Sequence, residues 1–377
     1  MANSLLLLAC MAPATLLRAQ AGDTLKLTYR SDVLFRIEED WNGLRSNGAS
    51  YDDRTRMRVR ARFGVEAARG PMRAGLRLRS GTSFKQQDPN ITLGGGDAEQ
   101  GPLPLTIDRA YIQFNKGRFA AWGGKDVFPF YRLDELFWSD HVCPEGLFVS
   151  AYAGKKDHKS GGRLTANAGH FIIRASNKGI DDDANLNAGQ LVYRRIAPKY
   201  TVDLVSGLFA FANIPLLPDH PDTTRYDHPI MQSQAKVLLN IGRGICLGVE
   251  QSLNLDPPND LPTEELNDQG FGLAAHLSYG RTKAGGDYLI GYSWCRLQKF
   301  SAIDYLAQND WARWDHSATG SPDGSLTNMQ GHRITLAWMP LDGLKLALIG
   351  YFVERIVDEG THTERGDRVR FDVVYSF

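Results

Sequence analysis

The sequence lacks the long apolar run that a membrane-spanning helix needs. Among its 377 residues, no stretch of about 18 consecutive apolar side chains occurs. The mean hydropathy of −0.32 is too polar for a bundle of membrane helices, but alternating membrane strands average to such values. Net charge is also missing, because 43 basic side chains balance 43 acidic ones. This balance gives no signal for a nucleic-acid partner, and we predict none.

Cysteine is scarce, and motifs of known chemistry are missing. Apart from Cys10, the cysteines are Cys143, Cys246 and Cys295, a set with no disulfide framework and no metal-ligand spacing. The histidines are scattered, and neither a nucleophile elbow nor a phosphate-binding loop is found. We therefore predict no metal, no cofactor and no enzyme. A catalytic triad assembled from separate strands remains an alternative, because it would leave no local motif.

The first residues resemble an export signal. An apolar run over residues 5–17 precedes Ala-Gln-Ala, which ends at Ala21 and is typical of a cleavage site. We predict a signal peptide over residues 1–21 and one domain over residues 22–377. The alternatives are a first buried helix and a lipoprotein anchored at Cys10.

The rest of the chain alternates with period two. In "RTRMRVRARF", residues 54–63, arginine occupies every second position and increasingly apolar residues lie between. Residues 72–79 and 368–377 alternate in the same way. Period two indicates strands with one apolar and one charged face. The predicted strands are 24–41, 53–68, 72–84, 104–115, 118–126, 146–155, 161–176, 186–197, 200–213, 229–240, 243–255, 268–280, 283–299, 328–340, 344–357 and 366–377.

The connections between these strands alternate in length. Tight turns rich in Gly, Pro or Asn are predicted at 69–72, 115–118, 197–200, 240–243, 279–282 and 340–343. Long polar loops are predicted near 42–52, 85–103, 127–145, 213–228, 256–267 and 300–327. Such sorting predicts an all-β fold: a transmembrane antiparallel β-barrel of about 16 strands with short periplasmic turns and long extracellular loops. Both termini would then be periplasmic. The alternative is a soluble sheet with a solvated charged face.

The arginine face then has a physical explanation. Lipid cannot hydrogen-bond an open sheet edge, so the sheet must close. A barrel of about 16 strands is too wide for side chains to fill, and it encloses water. Buried in a packed core, each charge would cost several kcal/mol, whereas facing water it stays solvated. The predicted pore-lining residues are Arg54, Arg56, Arg58, Arg60, Arg62, Arg73, Arg77 and Arg79.

Several segments resemble a known bacterial family. "RIEEDWNG", "RTRMRVRARFGVEA", "AGLRLRSG", "IDRAYIQF" and "WGGKDVFPFYRLDELFWSDHVCPEGLFVSA" are similar to the group called putative porins. The closing "RVRFDVVYSF" resembles the signal by which the barrel assembly machinery recognises its substrates. The resemblance implies that this machinery is a partner and binds through Phe377.

The resemblance also implies a location and a constriction. It places the chain in the bacterial outer membrane, in contact with lipid and lipopolysaccharide, as a homotrimer. In well-known trimeric porins the third long loop folds into the lumen and its acids face arginines on the opposite wall. Carried over, the acidic side would be Asp134, Glu135, Asp140 and Glu145. Alternatively, the loop packs outside the barrel against a neighbouring subunit.

These features predict a porin through which small hydrophilic solutes and ions diffuse along an arginine-lined lumen. Two other functions stay open. One is a channel specific for an oxyanion or an acidic sugar, bound through forked arginine hydrogen bonds. The other is a non-conducting barrel that scaffolds an envelope assembly.

Overall fold

The computed structural model describes residues 24–82, 89–94, 101, 103–154, 161–176, 179, 182–215, 225–261, 264–314 and 325–377. The predicted export signal, residues 1–21, lies outside this described part of the chain. Among the described residues, no helix is long and apolar enough to cross a membrane.

The described residues form one large antiparallel sheet. Its strands are β1 Lys26–Leu44, β2 Arg54–Arg69, β3 Met72–Ser80, β4 Ile91–Thr92, β5 Leu105–Lys116, β6 Phe119–Lys125, β7 Glu145–Gly154, β8 Arg163–Arg174, β9 Ala184–Ile196, β10 Tyr200–Pro215, β11 Arg225–Leu239, β12 Ile245–Asn254, β13 Phe271–Gly280, β14 Tyr288–Leu297, β15 Met329–Leu341, β16 Leu344–Arg355 and β17 Arg365–Ser376. One-turn 3-10 helices lie at Glu264–Leu266 and Asp304–Leu306.

The sheet closes on itself, because β1 pairs with both β2 and β17. The two residues of β4 stand outside this ring: they pair with Arg58 and Val59 of β2, beyond the point where β3 ends. The other strands form a closed barrel of 16, which leaves no open edge of unpaired backbone groups. The predicted all-β antiparallel barrel of about 16 strands is confirmed.

Each predicted strand overlaps a strand of the barrel, and most boundaries differ by only a few residues. The segment predicted at 283–299 was wrong at its start, since β14 begins at Tyr288. The residues before it form a turn around Asp287. Its carboxylate accepts hydrogen bonds from the backbone N–H groups of Lys283 and Ala284, at 3.2 and 3.1 Å.

The outer face of the barrel is apolar. On β2, Met57 and Phe63 are each 52% exposed, whereas Arg60 on the opposite face is only 7% exposed. The same alternation recurs on β7, where exposed Leu147 and Val149 flank buried Phe148. Apolar side chains that point outward from the barrel wall are suited to contact with lipid.

Tight turns and long loops occupy opposite ends of the barrel. Turns at Gly70, Gly117 and Gly343 have positive φ angles of 55°, 61° and 81°, which glycine adopts without a steric penalty. The C-terminus lies at the same end, because the Ser376 N–H donates to the Gly343 carbonyl at 2.9 Å. Long connections at 45–53, 126–144, 255–270 and 298–328 lie at the other end.

Candidate permeation pathway

The arginines of β2 face a row of acids on β1. In both strands every second side chain points into the barrel, so the pairing of β1 with β2 sets inward side chains opposite each other. The opposed pairs are Arg62 and Asp32, Arg56 and Glu38, and Arg54 and Asp40. Ion pairs follow this register: Arg62–Asp32 at 2.8 Å, Arg60–Asp32 at 3.2 Å and Arg54–Asp40 at 2.8 Å. Arg56 contacts both Glu38 and Asp40, and Arg58 contacts Glu38 at 3.4 Å.

The arginines of β3 have carboxylate partners as well. Arg77 pairs with Asp108 of β5 at 2.6 Å, and Arg79 lies 3.9 Å from the same acid. Arg73 pairs with Glu66 of β2 at 3.3 Å. All eight arginines singled out from the sequence therefore contact an acid on a neighbouring strand. These acids were not predicted as site residues, although Asp32, Glu38 and Asp40 share the period-two pattern of β1.

The arginine face continues across β1 onto β17. Arg36 donates two hydrogen bonds to Asp372 at 2.7 and 3.0 Å, and Arg370 lies 3.5 Å from the same carboxylate. Arg368 pairs with Asp40 at 2.6 Å. The sequence predicts the alternation of the last strand and the closure of the sheet, but which side chains of β17 meet those of β1 depends on the register between the two strands.

Loop 126–144 fills the opposite half of the barrel with aromatic side chains. Phe128 stacks on Trp138 with ring centroids 4.5 Å apart, and Phe130 meets Phe209 of β10 edge-on at 5.2 Å. The cluster includes Phe171 of β8 and extends to Leu306 of loop 298–328. Burial of these rings against inward positions of the strands holds the loop on one side. Open space remains along the arginine face.

Polar contacts of Tyr131 and Asp134 fasten this loop to the wall. The Tyr131 hydroxyl donates to Asp203 at 3.0 Å, and the Tyr131 carbonyl accepts a hydrogen bond from Gln190 at 2.9 Å. Asp134 pairs with Arg333 of β15 at 2.5 Å and lies 3.5 Å from a ring nitrogen of His276. Asp134, expected opposite the arginines of β2, is thus bound to an arginine of another strand.

The other predicted acids lie in different surroundings. Glu145 is the first residue of β7 rather than part of the loop, and it pairs with Lys125 at 2.6 Å. Asp140 is exposed and lies 3.1 Å from the ring of His141. Burial lowers the pKa of His141 to about 4, so this ring is neutral at pH 7. Burial and the carboxylates of Asp310 and Asp140 raise the pKa of Glu135 well above its ordinary value.

Loop 298–328 brings a further acid to the arginine face. Asp310 pairs with Arg370, and its carboxylate lies 3.5 Å from Arg36. Its backbone carbonyl accepts a hydrogen bond from Arg368 at 2.9 Å. Nothing in the local sequence singles out Asp310 within this long polar loop, and sequence reasoning missed it.

Two cavities open along the arginine face. One of about 680 Å³ lies toward the long loops and is lined by residues that include Arg56, Arg58 and Asp310. Another of about 520 Å³ lies toward the C-terminus and is lined by residues that include Asp32 and Arg77. On β2, Arg60 lies between the residues that line the first cavity and those that line the second. Among the described residues, no three His, Cys, Asp or Glu side chains are placed to hold a metal ion.

The sequence matches the model of the "Putative porin" family over residues 42–287, well over half of the chain. The chain belongs to this family. The comparison with curated protein sequences finds no match.

Solved structures of other proteins share the architecture of this porin. OprB of Pseudomonas putida superposes with a TM-score of 0.57 and 11% identity, over 93% of this chain and 94% of OprB. OmpF of Salmonella typhi superposes with a TM-score of 0.54 and 10% identity, over 93% and 98% of the two chains. OmpT of Vibrio cholerae, lacking loop L8, gives 0.51 and 9%, over 94% and 100%. At these identities the likeness establishes the fold alone, which is that of an outer-membrane channel.

Proposed function

We propose that this porin is a passive diffusion channel for small hydrophilic solutes and ions, with a path along the arginine face of β1, β2, β3 and β17. The observation that carries the proposal is that both cavities lie on this one face. Arg58 borders the first and Asp32 the second. The buried rings of the aromatic cluster pack closely in the opposite half of the barrel.

Charge on this face sets which ions pass most easily. Eight guanidinium groups of β1, β2 and β17 meet fewer carboxylates, so several acids are shared between arginines. The shared acids weaken the positive potential without cancelling it. A potential of a few kT then favours anions modestly, while solutes remain hydrated. We therefore propose weak anion preference rather than strict selection.

We place the barrel in the bacterial outer membrane as an integral protein, with lipid and lipopolysaccharide around its apolar outer face. Residues 1–21 would be the export signal and residues 22–377 the barrel domain. Both termini would then be periplasmic, where Phe377 can engage the barrel assembly machinery. A homotrimer is proposed from the trimer form of Vibrio cholerae OmpT, whose fold is similar.

The test is the reversal potential of single channels under a salt gradient. We expect Arg58→Glu combined with Arg60→Glu to lower the anion-to-cation permeability ratio by at least about twofold. The matched control is Arg118→Glu with Arg195→Glu, which makes the same charge change at two exposed positions. This control should leave the ratio nearly unchanged.

Two outcomes would count against the proposal. An unchanged ratio in Arg58→Glu/Arg60→Glu would show that these side chains do not govern permeation. A complete absence of conductance in planar bilayers, together with stably bound protein partners, would favour the non-conducting scaffold instead.

A further inference from the structure

Asp310 differs from the other acids on the arginine face in its origin. The partners Asp32, Glu38, Asp40 and Asp372 belong to strands β1 and β17, whereas Asp310 belongs to loop 298–328. Its carboxylate nevertheless lies within ion-pair distance of Arg36 and Arg370. The loop therefore inserts a carboxylate among guanidinium groups that the barrel wall supplies.

Hydrogen bonds from the Gln308 side chain hold the turn that carries Asp310 in place. The side-chain amide of Gln308, which is fully buried, donates to the carbonyls of Ala312 at 3.0 Å and Leu326 at 2.8 Å. The Gln308 side-chain oxygen accepts a hydrogen bond from the Trp311 N–H at 2.7 Å. This network of hydrogen bonds fixes the position of the turn that carries Asp310.

The guanidinium groups around Asp310 form a site that fits a carboxylate. Arg370 and Arg36 contact the carboxylate, and Arg368 holds the backbone carbonyl beside it. Arginine forks match the geometry of a carboxylate, and several donors around one acid make the contact strong. The cavity of about 680 Å³ is lined by Asp310 and Arg368 and opens toward the long loops. A solute entering from that side would meet Asp310 at the site.

We propose that Arg36, Arg368 and Arg370 form a binding site for a small carboxylate, and that the Asp310 side chain occupies this site as a tethered competitor. This inference rests on the proposed channel function and names the solute group recognised on its arginine face. While Asp310 is bound, a passing anion finds these arginines already paired. Binding of solute then stays weak, and passage stays fast.

Removing the tethered acid should expose the site. Arg36 and Arg370 keep Asp372 in Asp310 variants, and Arg368 keeps Asp40, so the barrel wall retains its ion pairs. We expect Asp310→Asn and Asp310→Ala to raise the anion-to-cation permeability ratio at least about twofold. Asp310→Ala also leaves room for a free carboxylate, whereas the amide of Asp310→Asn still fills the space.

The probe is acetate, added to channels that carry chloride current. We expect acetate to inhibit the chloride current of Asp310→Ala saturably, with a weaker effect on Asp310→Asn and the wild type. Acetate should also raise the thermal unfolding midpoint of Asp310→Ala more than that of the wild type, because a ligand that binds only the folded state stabilises it. This second measurement does not require the channel to conduct, so it separates failure of the site from failure of the proposed channel function.

The charge-matched control is Asp358→Asn, an exposed position outside the cavity lining. If Asp310→Ala and Asp310→Asn shift the permeability ratio no more than Asp358→Asn, Asp310 does not act on permeation and the inference is wrong. If acetate affects Asp310→Ala and the wild type equally in both measurements, the arginines form no carboxylate site, which also overturns it.

Discussion

Glu135 shows how a single side chain can change the charge inside the barrel. It lies on loop 126–144 beside Asp134, and the carboxylates of Asp310 and Asp140 are close enough to act on it. Burial and these negative neighbours raise the pKa of Glu135 well above its ordinary value, while Arg370 acts in the opposite direction. Below that raised pKa the side chain is neutral, and above it the loop gains one negative charge.

Anion preference should therefore fall as the pH is raised. We expect the anion-to-cation permeability ratio of the wild type to decrease as the pH rises from about 5 through the raised pKa of Glu135, where this side chain loses its proton. His141, whose pKa burial lowers to about 4, stays neutral over this range and cannot produce the change. The measurement is the reversal potential as a function of pH.

Glu135→Gln is the control for this titration. It keeps the shape of the side chain and holds the position neutral, so the pH dependence should flatten. An equally steep dependence in Glu135→Gln would mean that a different group titrates.

For single residues, the sequence predicted the arginines of the charged face but not the acidic residues that pair with them. Arginine at every second position of β2 predicts a charged face without further knowledge. The acids Asp32, Glu38 and Asp40 are equally visible in β1, but their pairing depends on the register between the strands. Register depends on the loop between β1 and β2, and a slip of one residue would turn every side chain to the other face.

At the scale of structural elements, loop 126–144 depends on contacts with strands that are distant in the sequence. Tyr131 fastens it to β9 and β10, and Asp134 fastens it to Arg333 of β15. Asp134 and Arg333 are both largely buried. Removing one partner leaves the other charge without compensation in a poorly hydrated place.

A double-mutant cycle tests this fastening. We expect Asp134→Asn and Arg333→Met each to lower the free energy of unfolding by about 2–4 kcal/mol. The double variant should lose less than the sum of the two, by at least about 1 kcal/mol, because the two side chains interact directly. Unfolding is followed by guanidinium titration of the folded barrel. Additive losses would show that the pair does not hold the loop.

The strands were predictable, whereas the paths of the loops were not. Alternation with period two marks a strand at any position in the chain, so each barrel strand had its counterpart in the sequence. The two-residue strand β4 is too short to give any period. The aromatic residues of loop 126–144 did not reveal that they pack on Phe171 and Phe209, because those partners are brought close only by closure of the ring.

For the whole molecule, the barrel is divided lengthwise into two unlike halves. Aromatic and aliphatic side chains of both inserted loops fill the side of β6 to β11. The paired arginines of β1, β2, β3 and β17 and the two cavities occupy the side formed by these four strands. A barrel of 16 strands was predicted from strand count and loop sorting, but this division was not, because it depends on where the loops fold.

The account's central claim is that solutes follow the arginine half of the barrel, and cysteine labelling tests it most directly. In a chain whose four cysteines are replaced by serine, Arg58→Cys and Ala188→Cys are compared during exposure to a sulfonated, membrane-impermeant thiol reagent. Arg58 borders the larger cavity, whereas Ala188 is buried in the aromatic cluster. We predict rapid modification of Arg58→Cys with loss of more than about half of the single-channel current, and no modification of Ala188→Cys. Rapid modification and block at Ala188→Cys, with an unaffected current at Arg58→Cys, would contradict the account.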